Sequence, residues 1–480
     1  MSYTALTIGP IYKTLKNAKK TREMWGASYF FSFVIKEIVK ELAKKVTFIT
    51  PYVKDEVFQN CDGVGLFHDR IIFKSDTVKK DELQNIVDKV LKNIEEKSKN
   101  RLKFNFLKNY LQIHIVELDE KRVENPIIDI SPYLDSAELF FEAQRDEKNE
   151  ILEFVKRLNH TFLVKDAFGS SKVKFPSLPY IALNSINEDS IEKELEANDD
   201  EQEVMKKLIQ EKRDLKPFNK YICLVQADGD NMTDVLKEIG EDSKKVSEFS
   251  KALFDFCLEA TSIVSNFNGK MIYAGGDDLF FFAPVANSKK TIFDLCNYLS
   301  KTFDEKMKSL NLKECFASLS FGVSITYFKF PLYEARENGV KLLFEQAKSR
   351  QKNAIAYRVT KHSGQTFGSI VRKDEKVLFE KFLEITKFND SFDSNFLHSI
   401  YTKIDRFKTT IEEVASSDNR RVKIKNFFDN NFNETEHKKY REFFESLTEF
   451  IVVVYESKIE DKLNFIYSSL RFRKFLLGDK

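Results

Sequence analysis

The sequence has 480 residues, with 77 Lys and Arg against 75 Asp and Glu and a formal charge of +2. That length holds several domains, each able to bury its own core, and the near balance of charge means that any polyanionic partner is gripped locally and not by the bulk field. Five cysteines (Cys61, Cys223, Cys257, Cys296, Cys315) without a C-x-x-C pair, no apolar run of the ~18 residues a membrane span needs, and no basic-then-apolar leader exclude a disulfide framework, a zinc ribbon and a membrane protein, so a cytoplasmic location is expected.

In chain order, an apolar strand is predicted at Thr4 to Pro10, then a long amphipathic helix from about Ile11 to Lys45 and a strand at Val46 to Tyr52. A hairpin-like pair ending in GLFHDRIIF (Gly65 to Phe73), a charged helix near Lys80 to Lys99 and a strand at Leu111 to Leu118 follow, giving the order β-α-β-β-α-β. Residues 125–215 read as helical and irregular, with an acidic run from Asn187 to Glu203 taken as a solvated loop or helix end. The first order then returns: strand Tyr221 to Ala227, helix Lys244 to Phe267, hairpin Lys270 to Pro284, helix Lys289 to Met307 and strand Phe316 to Phe328. A helix Leu332 to Ser349 and a strand Ala354 to Thr360 extend this second copy, and after Gly364 the pattern is amphipathic helix, with turns near Asn389 to Ser394 and Ser416 to Asn419.

The fold class expected is α+β: two ferredoxin-like or polymerase-palm (βαββαβ) domains, a helical middle segment and a C-terminal helical domain. The boundaries expected are 1–124 for an inactive first palm, 125–215 for the middle domain, 216–365 for a catalytic palm and 366–480 for the helical tail. The 46 Phe fall mainly at helical or alternating spacing, which assigns them to cores and subunit contacts and not to base stacking.

The chemistry is carried by ADGDNM (Ala227 to Met232) together with the turn GGDD (Gly275 to Asp278). A D-G or G-D dipeptide alone marks only a turn. In this order, however, Asp228 is expected at the end of a central strand, with the adjacent hairpin bringing Asp277 and Asp278 beside it so that three carboxylates converge. Such acids suit phosphoryl transfer, in which two divalent cations roughly 3.5–4 Å apart stabilise the attacking and leaving oxygens. Gly275 and Gly276, and Gly229 between the first pair of acids, would let a triphosphate approach the backbone. Asp228 is the preferred ligand of its pair, with Asp230 auxiliary. In FEQAKSRQKNA (Phe344 to Ala354), Lys348 falls late in a helix, where its ammonium would reach a phosphate. His68 and Asp69 form the single H-D dipeptide, and His114, His160, His362, His398 and His437 show no metal-ligand spacing, so a histidine-aspartate nuclease site is not expected; P-loop and G-x-S-x-G motifs are absent.

These motifs, with SFGVSITYFKFPLYEA (Ser320 to Ala335), AKSRQKNAIAYRVTKHSGQTF (Ala347 to Phe367), the opening helix with Arg22, Trp25 and Ser28, and FPSLPYIA (Phe175 to Ala182), resemble the polymerase-like large subunit of type III CRISPR effector complexes, nearest its Cmr-type branch. The resemblance spans most of the chain. It implies a nucleotidyltransferase switched on by target RNA, in which the 3′-hydroxyl of one ATP attacks the α-phosphate of another and releases pyrophosphate. It also implies Mg²⁺ or Mn²⁺ held by Asp228, Asp277 and Asp278, a triphosphate contact from Lys348, and other complex subunits, guide RNA and target RNA as partners. The expected product is a cyclic oligoadenylate or, as in some shortened relatives, an AMP conjugate of S-adenosylmethionine. The chain departs from many relatives in starting at the first palm, without a histidine-aspartate nuclease domain or zinc ribbon, which makes DNA cleavage unexpected. Two other readings compete: a diguanylate-cyclase-like enzyme, sharing the G-G-[DE]-[DE] turn, and a non-catalytic RNA-binding scaffold with a vestigial palm.

Overall fold

A computed structural model describes residues 2–54, 58, 63–139, 149–173, 175–183, 216–240, 242–313, 316–349, 352–388, 394–406, 408–416, 418–432, 438 and 440–478. The acidic run from Asn187 to Glu203, Cys61, Cys315, His437 and most of the turn near Asn389 lie outside these residues.

The first unit runs β1 (Ser2–Gly9), α1 (Ile11–Lys16), α2 (Thr21–Leu42), β2 (Thr47–Thr50), β3 (Arg70–Ser75), α3 (Lys80–Lys97), α4 (Phe104–Tyr110) and β4 (Gln112–Asp119). The single long helix expected from Ile11 is two helices. The carboxylate of Glu23 accepts hydrogen bonds from the backbone N–H groups of Lys19 (2.8 Å) and Lys20 (3.3 Å), capping a second helix start where periodicity alone reads through. Helices α5 (Pro126–Glu138), α6 (Glu150–Val155), α7 (Phe162–Phe168) and α8 (Leu178–Leu183) follow, α8 lying across the FPSLPYIA segment.

The second unit comprises β5 (Tyr221–Asp230), α9 (Met232–Ile239), α10 (Ser243–Asn266), β6 (Lys270–Gly275), β7 (Asp278–Pro284), the short pair β8 (Ala286–Asn287) and β9 (Lys290–Thr291), α11 (Ile292–Lys308), β10 (Ser318–Tyr327), α12 (Leu332–Lys341), β11 (Ala354–Thr360) and β12 (Thr366–Arg372). Helix α9 was not expected. Nor was β12, which pairs antiparallel with β11, so the sheet runs past Gly364 to Arg372 before the helices begin. The tail is α13 (Lys376–Thr386), α14 (Ser394–Arg406), α15 (Lys408–Ser416), α16 (Arg420–Asn431), α17 (Arg441–Glu456) and α18 (Lys462–Leu477).

The two sheets confirm the internal duplication. Their orders are β2-β3-β1-β4 and β12-β11-β10-β5-β7-β6, so each contains the same core of second, third, first and fourth strands of a βαββαβ unit. All pairs are antiparallel except β10 with β11, which a helical crossover joins in parallel. Residues of β5 alternate between two cores. Cys223, Val225 and Ala227 pack with Phe256 of α10 and Phe293 and Phe303 of α11, whereas Ile222 and Leu224 join the core built on Trp25, Phe30 and Phe31 of α2. The second sheet thus carries α10 and α11 on one face, while its other face takes α12 and meets the first unit, and the aromatic residues serve as core on both sides. Trp25 is fully buried, its Nε1–H donating to the Gly63 carbonyl at 2.7 Å. The tail packs onto the second unit through contacts such as Phe293 of α11 with Phe472 (ring centroids 4.6 Å apart) and Tyr221 of β5 with Phe475 (4.8 Å). Among the described residues Cys223, Cys257 and Cys296 are buried free thiols, and no helix is long and apolar enough to cross a membrane.

Candidate active site

Strand β5 continues through Asp230, so ADGD is strand and not the turn that follows one. On β5, Asp228 and Asp230 share a face by the two-residue period, the face turned toward the first unit. Beyond the last registered pair of β5 and β7, Ala227 with Leu279, Asp228 and Asp278 come abreast, and the bend between β6 and β7 at Gly276 and Asp277 delivers Asp277 to the same end. Gly276 takes φ +66°, and a side chain there would meet nothing within 4 Å. A Cβ on Gly229 would lie 2.5 Å from Oδ2 of Asp277, so that glycine lets the bend come down onto β5. The thiol of Cys257, from α10, donates to the Gly276 carbonyl at 3.2 Å and ties the bend to the helix beneath it.

The acids feel one another. Burial, then the charge of Asp228, pushes the Asp277 carboxyl up to about 6, and burial with the charges of Asp277 and Asp228 raises Asp278 well above the usual carboxylate range. The cation facing them is Lys348, whose ammonium pairs with Asp228, donates to the Gly229 carbonyl at 2.6 Å and stands 3.9 Å from Asp230. Its placement has a local cause. After α12 the backbone loosens into a π-helical turn, Leu342–Ala347, and the Lys348 N–H bonds the carbonyl of Leu343 five residues back, rotating Lys348 toward β5. The helix can lie this close because β10 has Gly322, where a Cβ would come 2.3 Å from the Gly339 carbonyl.

Asp230 is fully buried and accepts from Ser318 Oγ (2.8 Å), Ser320 Oγ (2.8 Å) and the backbone N–H of Asn353 (2.8 Å). Lys352 and Asn353, both at positive φ, turn that N–H inward. Asp230 therefore ties β5 to β10 and to the start of β11, while Asp228, Asp277 and Asp278 remain at the opening.

That opening leads into a cleft of about 310 Å³ between the two units, lined by Asp278, Tyr273 and Gln226 from the second and Tyr12, Phe31 and Asp69 from the first. Asp69 was weighed in the sequence only as half of an H-D pair. Here burial raises its carboxyl, and its charge is felt by Asp278 and by the buried Tyr273 phenol. Its neighbour His68 shares a 2.9 Å hydrogen bond with Thr50 Oγ1, and burial and Arg70 hold it down to about 4, neutral at pH 7. Asp69, Cys257, Ser318 and Ser320 are single residues with no diagnostic spacing; only the two serines had a signal, polar side chains alternating in an otherwise apolar strand.

Among the described residues no group of three or more His, Cys, Asp or Glu side chains is arranged to hold a metal ion by itself. The acids form a shared field, not a closed chelate, with Asp228 drawn onto Lys348. Their chemistry nonetheless fits a hard divalent cation: the donors are carboxylates, their mutual repulsion raises two of them, and Mg²⁺ characteristically takes one or two carboxylates and completes its shell with phosphate oxygens and water.

The model of the second palm domain of Cas10/Cmr2 matches residues 221–356, and that of the N-terminal part of the CRISPR-associated protein Cmr2 matches residues 3–103. Each palm of this chain is thus matched by a domain model drawn from the large subunit of type III CRISPR complexes. The CRISPR system Cmr subunit Cmr2 of Pyrococcus furiosus is 28% identical over an alignment 177 positions long that covers 32% of this chain and 20% of that protein. The fold matches a Type III-B Cmr-beta structure in its apo state (TM-score 0.55, 12% identity, 90% of this chain and 77% of the other). It also matches a Csm1–Csm4 cassette in complex with cA4 (TM-score 0.56, 10% identity, 99% and 70%). Another such cassette is in complex with AMPPNP (TM-score 0.53, 10% identity, 98% and 70%).

Proposed function

We propose that this chain is a large subunit of the Cas10/Cmr2 kind and a nucleotidyltransferase, joining the AMP unit of one ATP to the 3′-hydroxyl of another or to S-adenosylmethionine, with release of pyrophosphate, to make a second messenger when its complex binds target RNA. The observation that carries the reading is the clustering of Asp228, Asp277 and Asp278, with Asp278 lining the inter-palm cleft, beside an open glycine bend and with Lys348 paired to Asp228. A scaffold has no use for acids whose repulsion costs stability. Support also comes from the solved relatives, whose Csm1–Csm4 cassettes are complexes with AMPPNP, pppApA and cA4, and whose Cmr-beta is bound to cognate target RNA. Other subunits, guide RNA and target RNA are the partners proposed, and the cytoplasm the location.

Asp228, Asp277 and Asp278 would hold Mg²⁺ or Mn²⁺, which supplies neutralisation of the charge on the reacting phosphate. The chain's own residues do the rest. Lys348 moves from Asp228 to a phosphate oxygen as the nucleotide enters, the open face of Gly276 admits the phosphates against backbone, and Asp230 with its serines keeps β5 and β10 in register beneath them. The test is to incubate the assembled complex with target RNA, labelled ATP and Mg²⁺ or Mn²⁺, with and without S-adenosylmethionine, and to identify products by mass spectrometry. Product from the parent and none from the Asp277→Ala/Asp278→Ala double variant, with RNA binding intact, is the expected result. Equal product from both would refute it, and GTP in place of ATP would reveal a diguanylate-cyclase-like activity.

A further inference from the structure

Arg336, on α12, is 8% exposed and lines the inter-palm cleft. Its guanidinium lies 4.4 Å from the centroid of the Tyr12 ring, supplied by α1 of the first palm. Burial lowers its pKa, and Tyr12 acts against that. The acids nearest in sequence are engaged elsewhere: Glu337 pairs with Lys341 at 3.1 Å, and Glu334 accepts from Tyr333 at 2.7 Å. Among the described residues no carboxylate is paired with it. A buried guanidinium without an anion is costly to keep, and its planar fork matches phosphate or carboxylate oxygens two at a time. The same cleft is acidic at Asp69 and Asp278 and apolar between, at Leu15, Phe31 and Phe344, which suits the flat face of a base or nucleoside.

We propose that Arg336, backed by the Tyr12 ring, is the residue that binds the oxyanion of the acceptor substrate. The anion is the triphosphate of a second ATP or the carboxylate of S-adenosylmethionine. The proposal rests on the nucleotidyl-transfer reading for its chemistry but not for its binding claim, which is measured separately.

Equilibrium binding of labelled ATP and of labelled S-adenosylmethionine to the full chain in EDTA is compared for the parent, Arg336→Gln, Arg336→Lys and Tyr12→Ala. The Gln variant should weaken one of the two ligands by roughly 10- to 100-fold, the range for losing a charge-assisted bidentate contact. The Lys variant should recover part of that loss, and Tyr12→Ala should show a smaller one. In turnover with both substrates, the KM of the affected acceptor should rise in the Gln variant with the KM of the other substrate unchanged. Arg336-dependent binding in a parent that makes no product would retain the subsite and refute the transferase reading. Unchanged binding and KM in a Gln variant that melts like the parent would overturn the subsite and leave the transferase reading standing. A Gln variant that fails to fold is replaced by Arg336→Lys and Tyr12→Ala, for which unchanged affinities overturn the proposal in the same way.

Discussion

Replacing Asp230 separates a structural acid from a metal-binding one. Asp230→Ala removes the acceptor for Ser318 Oγ, Ser320 Oγ and the Asn353 N–H, all at 2.8 Å and all in the interior. An orphaned buried donor costs about 1–3 kcal/mol, and since the hydroxyls can turn to other acceptors, the total expected is on the order of 3–5 kcal/mol. The buried ammonium of Lys373, which donates to Ser300 Oγ (2.6 Å) and the Leu319 carbonyl (2.5 Å), loses a favourable charge at the same time. Asp230→Asn is different: with its oxygen where Oδ2 stands it keeps all three contacts, and its amide faces Ser320 Oγ at 3.1 Å, so a loss of roughly 1 kcal/mol is expected. In urea unfolding followed by circular dichroism, with a slope of about 3 kcal/mol per molar, the Ala variant should fall by roughly 1 M or more at its midpoint and the Asn variant by a third of that or less. The Asn variant should also still make product. An Ala variant as stable as the parent, with an Asn variant that makes no product, would show that Asp230 acts on the metals or nucleotide and not on the register of β5 with β10.

The raised Asp277 carboxyl gives a pH signature. The folded state holds its proton up to about pH 6, above the ordinary value of 3.8, so it binds more protons than the unfolded chain between those values and stability falls as pH rises through that window. Asp277→Asn should flatten thermal stability between pH 4 and 6 and be more stable than the parent at pH 7. Mn²⁺ or Mg²⁺ at pH 7 should raise the melting temperature of the parent and leave the Asp277→Ala/Asp278→Ala variant unmoved. Gly276→Ala has room but must hold φ +66°, at a cost of about 1 kcal/mol, whereas Gly322→Ala drives a methyl into the Gly339 carbonyl and should cost about 3 kcal/mol or more, both read by denaturant melts. Cys257→Ser keeps a donor for the Gly276 carbonyl and should retain most activity, whereas Cys257→Val should lower kcat with little change in melting temperature.

The duplicated βαββαβ order was legible because its strands are apolar runs and its helices keep a clear period; Lys80–Lys97 and Ala354–Thr360 fall where pattern placed them. The elements that escaped are those decided by contacts outside their own window. Strand β12 carries a glycine, Gly368, whose Cβ would come 2.0 Å from the Tyr357 carbonyl. It is a strand because β11 lies beside it, and propensity alone gives no sign of that. The break between α1 and α2 hangs on one glutamate reaching back to two N–H groups.

The same distinction separates the parts of the site. Asp277 and Asp278 announce themselves because glycines at a hairpin bend beside paired acids satisfy a local demand that a sequence can display. Asp228 and Asp230 are two acids on one face of one strand, and the sequence prefers Asp228 as ligand without showing what Asp230 does instead. What parts them is cover: the Lys352–Asn353 turn and the serines of β10 close over Asp230, whereas Asp228 pairs with the side chain of Lys348. Lys348 itself arrives by a π-helical turn that depends on Gly322, twenty-six positions earlier, letting one helix settle on one strand. The role of an acid here is thus set by what the fold lays over it, and Asp69, carried in from the other half of the duplication, is in the site for the same reason: the first palm meets the second sheet on the face that α10 and α11 do not cover, beside α12.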